Sequence, residues 1–495
     1  MPKTSPIILC SVLVLMTISV STLAHADVQL AGLGGLLDKV KKGAEDVIIK
    51  TVEETTKPNN PQPTEAPKDQ PKVEDVLNIP QTSTTQAKNA FIGNIPLANP
   101  PIVNYQFTKL VQFDSKSLSA SFYATPKVIF SKFKLNQQGA VAFQAFDIKN
   151  KATGVYMADK GQLTNIASSD NGDFFENKGY AMSLGFNNNG KVAYIAEKVE
   201  GGDAIFLAEA GKKSSKVLDL LGDNGNIYSL SDDDAIYFKG AVNVSGKKEV
   251  GIFVLTNGKV TKIPDNYSVE AIDPSGKVVF SKPATNTNLL YWLNGKFQSI
   301  YSDNNKFKQG FDQFYANYLH YQQLAINKNG SFILPSFKNR SGPSAQKLSL
   351  VSNLQVTKIV EQDNNFAEFK PQIAISDNNN IAFGAKIYTS NKPKMVPGDF
   401  VFRYMNGQLE SLGDIRYDGR LYINDSGTVV FHTPKDGGIF YGPDHVKHKV
   451  IVNSDKLFGL GIYSLQLLGL TNSGAVIFLV DLGGSKKMIV RADPL

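Results

Sequence analysis

The chain has 495 residues, 42% of them hydrophobic and 20% charged, with 30 Phe, 41 Gly and a single Trp. Those proportions exclude a disordered chain, a collagen and a polytopic membrane protein. The formal net charge is +7, yet residues 27–90 hold 8 Lys against 10 Asp and Glu, and the remaining surplus of lysines is scattered through turns such as Lys160, Lys259 and Lys296. Nucleic acid is a poor fit as partner, while weak attraction to an anionic polysaccharide or a membrane surface stays open.

At the N-terminus, Lys3 precedes an apolar run over 6–23, with Ala24 and Ala26 around His25. This predicts a signal peptide over 1–26, cleaved before Asp27, and export to the periplasm or outside the cell. An uncleaved anchor is the alternative, because the run is at the lower limit for spanning a bilayer. The one cysteine, Cys10, lies in this segment, so the exported chain needs neither a disulfide nor a reducing compartment.

Residues 27–56 carry a helical stripe, with Leu30, Leu33, Leu37, Val40, Ala44, Val47 and Thr51 at alternating spacings of three and four. The stripe predicts a short amphipathic helix. A lone helix of this length with four glycines is marginal in water, so residues 30–52 would gain stability from a partner, a membrane or a second copy. From 57 to 95, a stretch with six prolines among polar residues predicts a disordered linker.

Residues 96–495 form the repeat domain. Eight segments align: LNQQGAVAF (135–143), FNNNGKVAY (186–194), LSDDDAIYF (230–238), IDPSGKVVF (272–280), INKNGSFIL (326–334), ISDNNNIAF (375–383), INDSGTVVF (423–431) and LTNSGAVIF (470–478). Their turn residues 139, 190, 234, 276, 330, 379, 427 and 474 recur at 42 to 54 positions. Each motif reads as a hairpin: a strand ends, Asn136 or its equivalent bonds its own backbone, Gly139 takes positive φ, and alternation resumes. A second hairpin follows in most units, marked by Asn257-Gly258, Asn294-Gly295 and Asn406-Gly407.

Four antiparallel strands per unit predict an all-β fold, a β-propeller of four-stranded blades. Eight blades are expected, with seven and one degenerate unit as second choice. The last motif is followed by one more strand, KMIVRADPL (487–495), while QFTKLVQF (106–113) has no hairpin partner before it. Pairing of these N- and C-terminal strands would close the ring.

The motif, an Asn, two residues, a Gly, three residues and a Phe, resembles that of the bacterial exported tandem-repeat proteins known by the pattern NxxGxxxF. The resemblance spans 135–478 and implies a propeller-like fold and export, with no common activity. Ser231, Asp234, Asp273, Leu334, Ser376, Asn379 and Thr471 depart from it.

Chemical signatures are sparse. His445 and His448 have a spacing that could chelate a metal on a helix, but they fall in an outer hairpin with no Cys to complete a zinc site, so no metal site is assigned. The cluster Asp232 to Asp234 and the stretch 170–176 lack the spacing of a calcium loop and read as solvated turns. There is no nucleophile-elbow serine, no phosphate-binding loop and no signature of a cofactor.

Aromatic residues instead gather where one unit leads into the next. Phe174, Phe175, Phe314, Tyr315, Tyr318 and His320 are the candidate ligand-binding residues, because such connections share one face around the opening. Their structural alternative is to plug the channel or fill gaps between blades. Two functions result: an exported non-catalytic propeller that binds a protein or glycan through its looped face, or an extracytoplasmic polysaccharide-acting enzyme, a hydrolase or lyase with its site in the central opening.

Overall fold

Each repeat motif forms a reverse turn that its own first residue caps. Asn187 shows the pattern: its Oδ1 accepts the backbone N–H of Asn189 at 3.1 Å and of Lys191 at 2.9 Å. Asp273 and Asn327 do the same, and Ser231, Ser376 and Thr471 substitute a hydroxyl that accepts one N–H. The fourth residue sits at positive φ, which Asp234 and Asn379 tolerate at 63° and 62°. Gly276 is there for a second reason: a Cβ would meet the Leu230 carbonyl oxygen and stand 2.7 Å from Ser231 Cα in the neighbouring unit.

These turns join strands into eight antiparallel sheets in the computed structural model. It describes residues 76–78 and 95–495, less 115–117, 120–132, 148–151, 170–182, 199, 223–224, 282–287, 294–295, 303–323, 337–344, 346, 363–365, 389–398, 416–419, 434–436 and 485. Blade 3 is representative, with Asn226–Leu230, Ile236–Val244, Lys247–Thr256 and Lys259–Ile263 pairing in sequence order. Of the expected second-hairpin turns, Asn257-Gly258 and Asn406-Gly407 have φ of 50° and 74°, and 53° and 80°, while Asn294-Gly295 lies outside the described residues. The first strands of blades 1 and 2, 2 and 3, 6 and 7, and 7 and 8 pack against one another, so they line the axis.

Closure follows the expected route. In blade 8, Ser464–Leu470, Val476–Asp481 and Lys487–Pro494 are completed by Tyr105–Phe113, whose Phe107 pairs with Ala492. The protein is an eight-bladed propeller fastened by both ends of its repeat domain. All eight blades pack alike. Among the described residues there are eight buried apolar clusters, and each spans one seam between adjacent blades. The eighth motif residue, Phe143, Tyr194, Phe238, Phe280, Leu334, Phe383, Phe431 or Phe478, enters the cluster shared with the preceding blade and is at most 1% exposed. The aromatic signature of the repeat is thus a seam filler.

Three features differ from the sequence expectations. Val76–Asn78, inside the stretch read as a disordered linker, pairs antiparallel with Gln106 to Thr108 and adds a fifth strand to blade 8, because that outer edge still offers free backbone groups. Blade 5 has three named strands, its innermost position reduced to a bridge between Ile326 and Phe332. Residues 96–98 run parallel to the outer edge of blade 6, where Ala98 N–H donates to Ser411 O at 2.8 Å and Ser411 N–H to Pro96 O at 2.9 Å. The expected signal peptide and the 30–52 helix lie outside the described residues.

Candidate functional site: the central opening

The motif turns form a hydrogen-bonded belt around the axis. In the recurring link, the N–H of a turn's second residue donates to the side-chain oxygen of the second residue one blade on. Gln137 donates to Asn188, Asn188 to Asp232, Lys328 to Asp377, Asp377 to Asp425, and Asp425 to Asn472, at 2.8 to 3.3 Å. The capping amides add to it: Asn187 Nδ2 donates to Ser231 O, Asn327 Nδ2 to Ser376 O and Asn424 Nδ2 to Thr471 O. Asp232 and Asp234 are therefore not merely solvated, as their sequence suggested. Asp232 accepts from Asn188, and Asp234 pairs with Lys191.

Where the residue types change, the belt changes with them. Gln137 has a longer side chain, and between blades 8 and 1 Arg491 Nη1 instead donates to Gln138 O at 2.6 Å. Pro274 has no N–H and Lys328 no acceptor, so the recurring link cannot form between blades 4 and 5. Asp273, which has no donor when ionised, accepts the Tyr291 hydroxyl at 2.9 Å. That seam relies on the apolar cluster of Ala271, Tyr291, Ile326, Phe332 and their neighbours.

Inside the belt lies a cavity of about 190 Å³. Leu135, Phe186, Tyr422, Gly469 and Leu470 supply its apolar wall, and the amides of Asn136, Gln137 and Asn188 its polar rim. The volume suits a single ring or side chain, below the roughly 300 Å³ at which drug-sized pockets begin. Burial raises the pKa of the Tyr422 hydroxyl, against a hydrogen bond from Arg420 that favours its ionised form.

Two further ionisable groups stand in innermost strands. Lys134, in Phe133–Leu135, is half-buried, and the lost hydration pushes its pKa down to about 8. Glu270, in Ser268–Ile272, is 6% exposed and sits at a break in strand register. Its Oε1 accepts hydroxyls from Ser268 and Ser281, while Oε2 is buried without a partner among the described residues. Burial pushes this carboxyl up. Neither residue carried a motif, and only its place in an innermost strand draws attention to it.

The aromatic candidates Phe174, Phe175, Phe314, Tyr315, Tyr318 and His320 lie outside the described residues. Among the described residues, no group of three or more His, Cys, Asp or Glu is placed to hold a metal. His445 and His448 have separate surroundings. His445 stacks on Phe440 at 4.1 Å, while His448 is 4% exposed and its Nδ1 accepts the Asp444 N–H at 3.2 Å. The other side of the His448 ring meets the Pro100 backbone, tying the N-terminal strap to blade 7.

Burial pushes the His448 pKa down, with Lys447 and His445 acting in the same direction and Asp444 opposing them. A depressed pKa means that the unfolded chain takes up its proton first, so this contribution is complete above about pH 6.5 and is lost as pH falls below it. The melting temperature of wild type should therefore drop further between pH 7.5 and 5 than that of His448→Gln. Equal drops would show that the imidazole does not titrate in the strap.

No protein-family model and no curated protein matches the chain. Among solved structures it is similar to an oligogalacturonate lyase from Vibrio parahaemolyticus, at 12% identity and a TM-score of 0.36, over 73% of this chain and 98% of that one. It is also similar to the β-propeller domain of the Trilobed protease from Pyrococcus furiosus, at 12% identity and 0.34, over 63% and 92%. A polysaccharide lyase aligns at 10% identity and 0.37, over 78% and 98%. Identities this low leave each activity with the protein that has it.

Proposed function

We propose that this protein is an exported, non-catalytic propeller of the NxxGxxxF repeat type that binds a glycan, with one sugar residue seated in the central opening. The cavity bounded by Phe186, Tyr422 and the amides of Asn136, Gln137 and Asn188 carries this reading. A sugar ring offers apolar C–H faces to aromatic rings and hydroxyls to amides, and Phe186, Tyr422 and the Gln137 side chain supply these two kinds of partner, the Asn136 and Asn188 amides being engaged in the belt. A protein ligand, inserting one side chain into the same opening, is the other form of the binding reading.

The test is a glycan array with the full chain beside pull-down from the native host. Retention of a defined glycan, weakened in Gln137→Ala with an unchanged melting temperature, supports the proposal. Capture by protein alone, sensitive to the same substitution, moves the assignment to a protein ligand. One observation favours the enzyme reading: Glu270, a buried carboxyl biased toward its protonated form in an innermost strand, has the character of a general acid. Release of shortened polysaccharide, abolished by Glu270→Gln, would replace the binding reading.

A further inference from the structure

The belt around the axis has a chemically enforced gap between blades 4 and 5. The neighbouring seams are closed: Asp232 N–H of blade 3 donates to Ser275 O of blade 4 at 2.8 Å, and Lys328 N–H of blade 5 donates to Asp377 of blade 6 at 3.0 Å. Blade 4 has nothing to give from the two positions that make the recurring bonds. Pro274 lacks an N–H, Asp273 lacks an amide, and the Lys328 side chain offers no acceptor across the seam. Blade 5 is also incomplete at its inner edge among the described residues, where a single bridge from Ile326 to Phe332 stands in place of a first strand.

A third feature falls on the same seam. Glu270 occupies a break in strand register that recurs in blades 3 and 8, where the residue at the break is Tyr228 or Leu468, each packed on an apolar cluster. Its Oε1 accepts the hydroxyls of Ser268, at 2.7 Å, and Ser281, while Oε2 is buried without a partner among the described residues. Residues directly opposite each other in a sheet share a face. Ser281 pairs with Ser268 and with Leu289, and Leu289, Val279 and Ala271 belong to the cluster that meets Ile326, Phe332 and Val351 of blade 5. The carboxyl therefore lies on the side of blade 4 that faces blade 5. A buried carboxyl oxygen without a donor is costly, and parting the two blades returns it to water.

We infer that the ring opens between blades 4 and 5, with Glu270 keeping this seam poised to part while the other seams stay shut. The junction of the two chain ends, the other place where such a ring could open, is reinforced. Tyr105–Phe113 pairs with Lys487–Pro494 from Tyr105 opposite Pro494 to Phe113 opposite Lys487, Leu495 N–H donates to Asn104 O at 2.9 Å, and Arg491 ties blade 8 to Gln138 O of blade 1. Opening between blades 4 and 5 has a consequence at the axis. Pro274 lines the cavity and its carbonyl accepts from Asn188 Nδ2 at 3.1 Å, so movement of blade 4 shifts one wall of the cavity. The seam thereby regulates access to the cavity, whatever ligand it takes.

The test is the rate of thiol labelling of buried cysteines in the full chain, with Cys10→Ser removing the native thiol. Val279→Cys reports the seam between blades 4 and 5, Val192→Cys that between blades 1 and 2, and Val141→Cys that between blades 8 and 1; all three valines are fully buried. In native buffer the Val279→Cys protein should label at least about tenfold faster than the other two, because local opening exposes its seam alone. Glu270→Leu, which installs the residue type found at the same break in blade 8, should slow that labelling toward the rate of the other two. Pro274→Gln with Lys328→Asn, which copies Gln137 and Asn188 of blades 1 and 2, should slow it independently by supplying both partners of the missing link. Neither repair should change labelling at the other two positions. Equal rates at all three positions, the signature of global unfolding, overturn the proposal. Fastest labelling of the Val141→Cys protein overturns it too, by placing the opening at the chain ends. Fast labelling of the Val279→Cys protein that neither repair slows overturns the assignment of the seam's weakness to Glu270 and the missing link.

Discussion

Phe238→Ala should destabilise the propeller by about 3–5 kcal/mol, the cost of emptying a packed aromatic site. Phe238 is fully buried in the seam between blades 2 and 3, where it stacks on Phe253 at 5.5 Å among Ile195, Ile205, Ile227 and Val242. These neighbours belong to β-strands whose hydrogen-bond ladders keep them from closing on the hole. The effect should therefore sit near the top of the range. Leu354→Ala is the matched control, because Leu354 is 62% exposed and its loss should leave the melting curve within error of wild type. Thermal and urea denaturation of the two variants measure the contrast. A change below about 1 kcal/mol for Phe238→Ala would show that the seam is loosely packed, contrary to the structure.

Asn187 is expected to be the most sensitive polar residue of the belt. Its Oδ1 caps two N–H groups of its own turn, and its Nδ2 donates to Ser231 O at 3.1 Å and to Asp234. Asn187→Ala leaves both N–H groups and the Ser231 carbonyl without this partner at a residue that is 3% exposed. An orphaned buried group costs about 1–3 kcal/mol, so a loss of at least about 2 kcal/mol is expected. Asn187→Ser should recover part of it. Serine and threonine already serve as the cap at Ser231, Ser376 and Thr471, but a hydroxyl accepts fewer bonds there and cannot reach across the seam as the amide does. If alanine and serine variants melt together, the own-turn cap contributes nothing. If serine matches wild type, the bond between blades contributes nothing.

Much of this architecture was legible in the chain because its causes are local and repeated. A turn needs an acceptor at its first residue and a residue that tolerates positive φ at its fourth, so Asn136 and Gly139 announce it wherever they recur. Strand alternation around Phe143 gives the blade, and the unpaired strands at both ends give the closure. The roles of Asn188, Asp232, Asp377, Asp425 and Asn472 were written in the same repeat, though no local rule reveals them. Their partners lie one blade away, and only the curvature of the closed ring brings consecutive turns within hydrogen-bond distance.

The sequence by itself determined the repeat, the hairpins, the blade count and the means of closure, because period and turn chemistry act over a few residues. Tertiary structure alone decided what lies at the axis. Lys134 and Glu270 look like ordinary strand residues until the ring places their strands innermost, where neighbouring blades strip them of water and shift their proton affinities. Likewise, Val76–Asn78 follows a proline-rich stretch with no strand pattern. It becomes a strand because closing blade 8 leaves an outer edge of unpaired backbone groups, and that edge exists only once the two ends of the repeat domain have met.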